Sequence, residues 1–363
     1  MDEQALAAAA AAGSHEAFCS LVDPLRRELH LFCYRMLGSF HDAEDVVQEA
    51  HLKAWRAIGS FDGRAPFRSW MYRVTINATR DAMRAKRRRV LPQDLGMPRS
   101  PEEGLGDQRA DIDWLEPYPE ALLESVDPLA QVELRESIRL AFIRALQLLP
   151  PKQRAVLLLR EVLGWSADGV AVALDTSVPA VNSALQRARK TMEGARNQSI
   201  SNASRLDDAG ARMATRYIAA WEAGDIDGIV AMLTEDATHA MPPWSAWFVG
   251  REALRTLYAS YPIWSGGPGP GFFRILPIRL NGTLGFAEYC REERDAPYRA
   301  LALTVATLDP SGRFIVDKVS FVTPDLFEPC GLPPVLTEAE VAVQQDAIGG
   351  RSRGFTGEQA TRS

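Results

Sequence analysis

The chain has 363 residues, 46% of them hydrophobic and 24% charged, with a formal net charge of -6 at pH 7. That length predicts two or three domains, and that composition a soluble globular protein. No apolar run approaches the roughly 18–20 residues a membrane span needs. The Ala-rich start, Ala7–Ala12, lacks the basic n-region of a signal peptide. The four cysteines, Cys19, Cys33, Cys290 and Cys330, are scattered without metal-ligand spacing. We therefore expect a cytoplasmic chain with reduced thiols, no metal, no cofactor and no membrane partner. The charge is segregated: +3 over 1–89, -8 over 90–135, +4 over 136–204 and -5 over 205–363. Two basic segments flanking an acidic connector point to nucleic-acid contact by parts of the chain.

In chain order, residues 14–59 predict two helices. The first runs from about Glu16 to Met36 and is closed by Gly38. The second begins near Asp42 and ends at Gly59, with Ala43, Val46, Val47, Ala50, Ala54 and Ile58 as its buried stripe. Asp42, Glu44 and Asp45 crowd its first turn, where the helix dipole favours carboxylates. Gln48, Glu49 and Lys53 continue a polar face beside Trp55, which suits either a protein partner or plain solvent. Next comes a loop, Asp62-Gly63-Arg64-Ala65-Pro66, among the aromatics Phe61, Phe67 and Trp70. From Trp70 onward a helix buries Met71, Val74, Thr75, Ala78, Ala82 and Ala85. Its second stripe carries Arg73, Asn77, Arg80, Arg84 and Arg87, finished by Lys86, Arg88 and Arg89. Cations a turn apart track phosphates, and aromatic rings give unstacked bases a surface; Trp70 fits the core equally well.

Residues 90–128, rich in Pro, Gly, Asp and Glu, predict a linker largely without regular structure, with a weak helical patch near Trp114–Val126. Helical periodicity resumes at Leu129, and Leu134, Ile138, Ala141, Phe142, Ala145 and Leu149 mark one helix stopped by Pro150-Pro151. A second covers Lys152–Val162. Ser166 then caps a short helix through Leu174, the turn Asp175-Thr176-Ser177 follows, and a longer helix starts near Val178 with Pro179 in its first turn. A short helix, a tight turn and a polar, basic second helix make a helix-turn-helix. Residues 197–206 form another linker. The rest reads as helices at Asp208–Ala223, Ile226–Leu233 and Arg251–Ser260. Strands follow at Phe272–Leu280, Thr283–Arg291, Ala300–Leu308 and Phe314–Val322, an α+β pattern. Past Phe327 we expect a mobile tail with a short helix at Glu338–Asp346.

Four ordered motifs, DAEDVVQEAHLKAWRAI, FRSWMYRVTINATRDAMRAKRRR, LLPPKQRAVLLLREVLGWSADGVAVAL and DTSVPAVNSALQRARK, carry a resemblance over about Ser14–Arg196. They resemble the extracytoplasmic-function (group IV) sigma factors of the sigma-70 family. The later part, from MATRYIAAWEAGDIDGIVAMLTEDATHAMP, resembles the SnoaL-like/NTF2-like fold, so the whole is similar to SigG- and SigJ-like sigma factors. The fold this implies is multidomain: two all-α sigma domains, helical sigma-2 and helix-turn-helix sigma-4, followed by an α+β NTF2-like cone. Its parts would be sigma region 2 (1–89), acidic linker (90–128), region 4 (129–196), linker (197–206), NTF2-like domain (207–327) and tail (328–363).

The resemblance implies an RNA polymerase sigma factor that directs core enzyme to promoters and is not itself an enzyme. Its partners would be promoter DNA and the core polymerase, through the β′ clamp helices and the β flap. The clamp contacts fall on Asp42, Asp45, Gln48 and Glu49, with Trp55 nearby. Contacts to the −10 element fall on Arg64, Phe67, Trp70, Arg73, Asn77, Arg80 and Arg84, with the Arg64–Ser69 loop holding a flipped base. Those to the −35 element fall on Ser177, Pro179, Asn182, Ser183, Arg187, Arg189 and Lys190. The acidic linker would mimic nucleic acid in a basic channel. In the C-terminal domain, Asp236, His239 and Glu288 are conceivable acid–base groups, and Trp244, Trp247 and Tyr289 could line a cavity. Regulation in cis is the favoured role there, with a small-molecule ligand in the pocket as a variant. The tail lacks the Asp-Gly-Gly-Gly signature of some SigJ-like relatives; GLPPV at Gly331–Val335 is its nearest segment. The alternatives are a helix-turn-helix regulator that works without polymerase, or an enzyme acting through the NTF2-like pocket.

Overall fold

The computed structural model describes residues 3–123, 128–196, 208–260, 271–338 and 340–341. The expected linker at 197–206, and most of the expected tail helix, lie outside the described residues. The chain divides into two compact units: Met1–Val90, Asp111–Tyr118 and Leu122–Ile200 form the first, and Leu91–Ala110, Pro119–Ala121 and Ser201–Ser363 the second. No described helix is long and apolar enough to cross a membrane.

The first unit is helical: α1 (Glu3–Ala11), α2 (His15–Leu37), α3 (Phe40–Ala57), α4 (Phe67–Ala85), α5 (Pro128–Ser137), α6 (Leu140–Leu146), α7 (Pro151–Leu157), α8 (Ala167–Ala173) and α9 (Val178–Arg196). Side-chain caps set several starts. Ser14 Oγ accepts from the Ala17 amide at 3.2 Å, Ser39 Oγ from Asp42 at 3.0 Å and Ser166 Oγ from Gly169 at 3.0 Å. Gly38 ends α2 at φ 74, its amide donating to Tyr34 O at 2.7 Å. A Cβ there would also meet Leu115 at 2.5 Å, so both conformation and space call for glycine.

Helix α4 is buried on two sides. Met71, Thr75 and Ala78 are inside as expected, but so are Tyr72, Ile76 and Thr79. The extra face is covered by the segment leading into α8. The Tyr72 and Trp165 rings meet edge-on at 4.9 Å, and the Arg68 guanidinium lies 5.3 Å from the Trp165 centroid while pairing with Glu28. Two buried arginines fasten the same interface. Arg154 donates to Met36 O, to Gln147 Oε1 at 2.7 Å and to Leu149 O at 3.1 Å. Arg35 donates to Ser137 Oγ and, at 3.4 Å, to Ser137 O. Burial lowers both guanidinium values to about 10. The Arg35 contact also explains a correction: the single helix expected from Leu129 to Leu149 is two, because the Ser137 carbonyl is turned to Arg35 and the chain is extended at Arg139 (φ -53, ψ 138).

The connector is not the open spacer its composition suggested. Val90 pairs in parallel with Trp114, and Leu115 and Tyr118 are buried in the first unit. Glu116 accepts from Ser39 Oγ at 2.9 Å and from the His41 amide at 3.2 Å, capping α3 from outside. Residues 91–110 belong to the second unit. There Arg99 N donates to Trp247 O at 2.8 Å, Trp247 Nε1 to Gly96 O at 2.9 Å and Arg109 N to Pro243 O at 2.9 Å. A segment that follows the surfaces of other elements has no period of its own, so periodicity could not reveal it.

The second unit has helices α10 (Asp208–Ala223), α11 (Ile226–Val230) and α12 (Arg251–Ser260). Its strands are β1 (Leu233–Ala240), β2 (Trp247–Val249), β3 (Phe273–Leu280), β4 (Thr283–Cys290), β5 (Tyr298–Leu308), β6 (Ile315–Phe321) and β7 (Val335–Leu336). The sheet order is β2-β1-β6-β5-β4-β3, with β7 on β5; β1 and β6 run parallel and the other pairs antiparallel. Asn281 and Gly282, both at positive φ, make the tight β3–β4 turn. Leu254, Leu257 and Tyr258 of α12 pack with Met213, Tyr217 and Trp221 of α10 in one core cluster with Phe286 of the sheet. The tail begins ordered rather than mobile: Phe327 and Leu336 are fully buried, and β7 pairs Leu336 with Tyr298.

Candidate nucleic-acid interface

Helix α4 presents Arg73, Asn77, Arg80 and Arg84 along one exposed face. The i, i+3/i+4 spacing puts a cation on each turn with one amide among them. Arg64 is exposed in the preceding loop and pairs with Asp62 at 3.3 Å. Phe67 and Trp70 are corrections: they are 2% and 6% exposed, packed on each other and on Phe61 at 5.5–5.8 Å. Rings closed into a core triad shape the loop instead of offering bases a stacking face. Beside them an open crevice of about 230 Å³ is lined by Glu3, Leu21, Phe67 and Arg68, among others. Glu3 accepts from the Phe67 amide at 2.8 Å, satisfying one of the free donors at the start of α4.

On α3 the structure exposes Asp45, Gln48 and Glu49 but buries Asp42. Asp42 pairs with Lys86 and with Arg89, whose Nε lies 3.1 Å away. Burial alone would raise its carboxyl; hydrogen bonds and charge from Lys86 and Arg89 outweigh it and hold the value below 3.8. It therefore anchors the end of the basic run and does not reach the α3 surface. Trp55 is half-buried, edge-on to Phe18 at 5.1 Å and His15 at 5.7 Å, which pins α3 to α2. Sequence reasoning missed Leu52, which is 52% exposed on the face of Asp45, Gln48 and Glu49. The signal was available: an apolar residue seven positions after Asp45, outside the buried stripe.

The helix-turn-helix is formed by α8 and α9, with Asp175 at φ 49 in the turn. Val181, Ala184, Leu185, Ala188 and Met192 are buried, and Ser177, Pro179, Asn182, Ser183, Arg187, Arg189 and Lys190 are all exposed. Arg189 is held by Glu161 at 2.5 Å. The start of α9 thus offers small polar side chains of a size to reach base edges, and its later turns offer cations for phosphate.

In the second unit, Asp236 is exposed and Trp247 holds the connector. Tyr289 faces away from Glu288 and donates to Pro333 O at 3.0 Å, so it lines no shared cavity with it. Glu288 and His239, however, are brought together through two hydroxyls. Thr304 donates to Glu288 at 2.8 Å and lies 2.7 Å from Ser320, which lies 3.1 Å from His239 Nε2. Tyr217 also donates to Glu288, at 3.0 Å, and the Tyr258 hydroxyl is 3.3 Å from His239 Nδ1. Burial, helped by the nearby Lys318 charge, pushes His239 well below its ordinary value and keeps it neutral.

Comparison with known proteins agrees with this division. Residues 21–89 match the sigma-70 region 2 family, 139–192 sigma-70 region 4 and 214–308 the SnoaL-like domain. The chain is 41% identical over 321 residues to the ECF RNA polymerase sigma factor SigG of Mycobacterium tuberculosis, covering 88% of this chain and 85% of that one. It is 30% identical over 183 residues to SigW of Bacillus subtilis, covering 50% of this chain and 89% of the relative. The crystal structure of the M. tuberculosis extracytoplasmic function sigma factor SigJ shares the fold, with a TM-score of 0.55 at 24% identity over 87% of this chain and 99% of that one. A basic helix, a helix-turn-helix and a SnoaL-like unit, in that order and at that level of identity, place this chain in the extracytoplasmic-function sigma factors of the sigma-70 family.

Proposed function

We propose that this chain is the promoter-selecting subunit of RNA polymerase, with α4 reading the −10 element and α9 the −35 element. The exposed stripe Arg73, Asn77, Arg80 and Arg84 beside a structured loop carries the reading. A regulator of closed duplex DNA needs only the helix-turn-helix. A second cationic helix next to a crevice of base-sized dimensions suits a strand that has been opened. With Phe67 and Trp70 closed off, an extruded base is better accommodated in that crevice than on their faces; extrusion costs a few kcal/mol, which contacts to the loop and cations offset. Core polymerase would be engaged through Asp45, Gln48, Glu49 and Leu52.

The SnoaL-like unit acts in cis. Residues 91–110, which lead from the −10 module toward the −35 module, are hydrogen-bonded into that unit, so its state governs how much slack the connector has. A small molecule bound in its interior is the means by which that slack would be set. Run-off transcription with core enzyme, comparing the full chain with one ending near Ser204, tests both parts. Promoter-dependent RNA from the full chain, with altered output from the shortened one, is expected. No promoter-dependent RNA from either chain refutes the first part, and equal output from both refutes the second.

A further inference from the structure

The chain contains only five lysines, Lys53, Lys86, Lys152, Lys190 and Lys318, against 36 arginines. Four lie in the first unit. The fifth is 2% exposed in the middle of the second. Lys318 sits on β6, in register with Ala306 of β5 on one side and His239 of β1 on the other. Its Nζ lies 4.3 Å from the Trp221 ring centroid, 5.3 Å from Tyr217 and 5.5 Å from Tyr258, with Glu288 Oε1 at 3.8 Å. That last distance is an ion-pair separation and too long for a hydrogen bond.

An ammonium carries three donors, and ring faces satisfy its charge without accepting them fully. In a chain this biased to arginine, a lysine in the core is chemically distinctive. Guanidinium stays charged in proteins, whereas a desolvated amine can lose its proton and become a nucleophile. The groups facing Nζ fit that use. Glu288 is the adjacent base, held by Tyr217 and Thr304; His239 is neutral and bonded to Ser320 and Tyr258. Its other near neighbours are the rings of Tyr217, Trp221 and Tyr258.

We propose that the interior of the second unit takes a small apolar or aromatic aldehyde or ketone, which Lys318 binds as a reversible imine. This rests on the reading that the unit binds a small molecule, and it names the class. Glu288 accepts a proton from the ammonium, and the free Nζ adds to the carbonyl carbon. The carbinolamine oxygen leaves as water with that proton and one from nitrogen, which leaves the iminium with the third proton on Nζ. Ammonium plus carbonyl gives iminium plus one water, with no oxidant or reductant. Burial lowers Lys318 to about 8, so about a tenth is amine at pH 7 and about half at pH 8.

The test treats the full-length native chain at pH 8 with benzaldehyde and cyanoborohydride, which traps imines as stable amines, and maps adducts by peptide mass spectrometry. An ordinary lysine at that pH is almost wholly ammonium, so Lys318 is expected to carry at least about tenfold more adduct than any of the other four. Lys318→Arg should remove that adduct and leave the others unchanged. The same chain unfolded in urea should label all five alike. Native labelling at Lys318 equal to or below that of the exposed lysines overturns the proposal, and the wild-type chain alone suffices for that comparison. Promoter-directed transcription is unaffected by that outcome, so the two readings fail separately.

Discussion

Single residues decide what the two faces can offer. Asp42 was legible as a first-turn carboxylate, but nothing local in the sequence tells that Lys86 and Arg89, more than forty positions on, close over it. Asp42→Asn leaves Arg89 largely buried without its main counter-charge and should cost about 2–4 kcal/mol in urea unfolding. Its folded value is depressed, so its contribution is complete above the ordinary 3.8 and is lost as pH falls through the lower folded value. The wild type should therefore lose stability below pH 4 more steeply than the variant. Lys318 works in the opposite sense. Its folded value of about 8 lies below its ordinary 10.5, so the unfolded chain holds more protons between them and stability rises with pH across that window. Lys318→Met should flatten that rise in a plot of melting temperature against pH. On DNA, Arg80→Ala should weaken binding evenly across sequences and reduce the salt slope by about 1. Asn182→Ala should relax preference at one −35 base pair by about 1–3 kcal/mol in competition binding.

At the scale of elements, the sequence showed most helices because each has an amphipathic stripe and a side-chain or glycine cap, as at Ser39, Ser166 and Gly38. It showed only one of the two buried faces of α4, since Tyr72 is covered by Trp165, more than ninety residues away. It missed β1 for a related reason. LTEDATHA has poor strand propensity, with Glu235 and Asp236 exposed, and is held in the sheet by β2 and β6 on its two sides. The exposed faces of α4 and α9 followed directly from helical period, whereas Phe67 and Trp70 could not be assigned to surface or core by pattern alone. The Tyr72–Trp165 contact predicts behaviour as well. Trp165→Ala should cost about 3–5 kcal/mol of stability. It should also speed promoter association, by lowering the work of separating α4 from α8; stopped-flow binding to a fluorescent promoter reads the rate.

In the molecule as a whole, the two faces proposed to read DNA share one compact helical unit. From the Tyr72–Trp165 contact, one short helix and a turn reach Ser177, a chain path of at most about 30 Å. Elements centred near −10 and −35 are about 25 base pairs apart, roughly 85 Å at 3.4 Å per pair. If α4 and α9 read those elements as proposed, the closed arrangement cannot span them, and the Trp165 and Arg154 contacts part before both are held. Residues 91–110 of the connector are bonded into the SnoaL-like unit, so on the proposed reading that unit would act on the transition. The most direct measurement is the distance between spin labels at Arg80 on α4 and Arg187 on α9, taken by pulsed electron resonance. We predict a single short distance in the free chain and a population beyond about 60 Å once core polymerase and promoter are bound. A short distance that persists in complexes still making promoter-specific RNA would contradict the account.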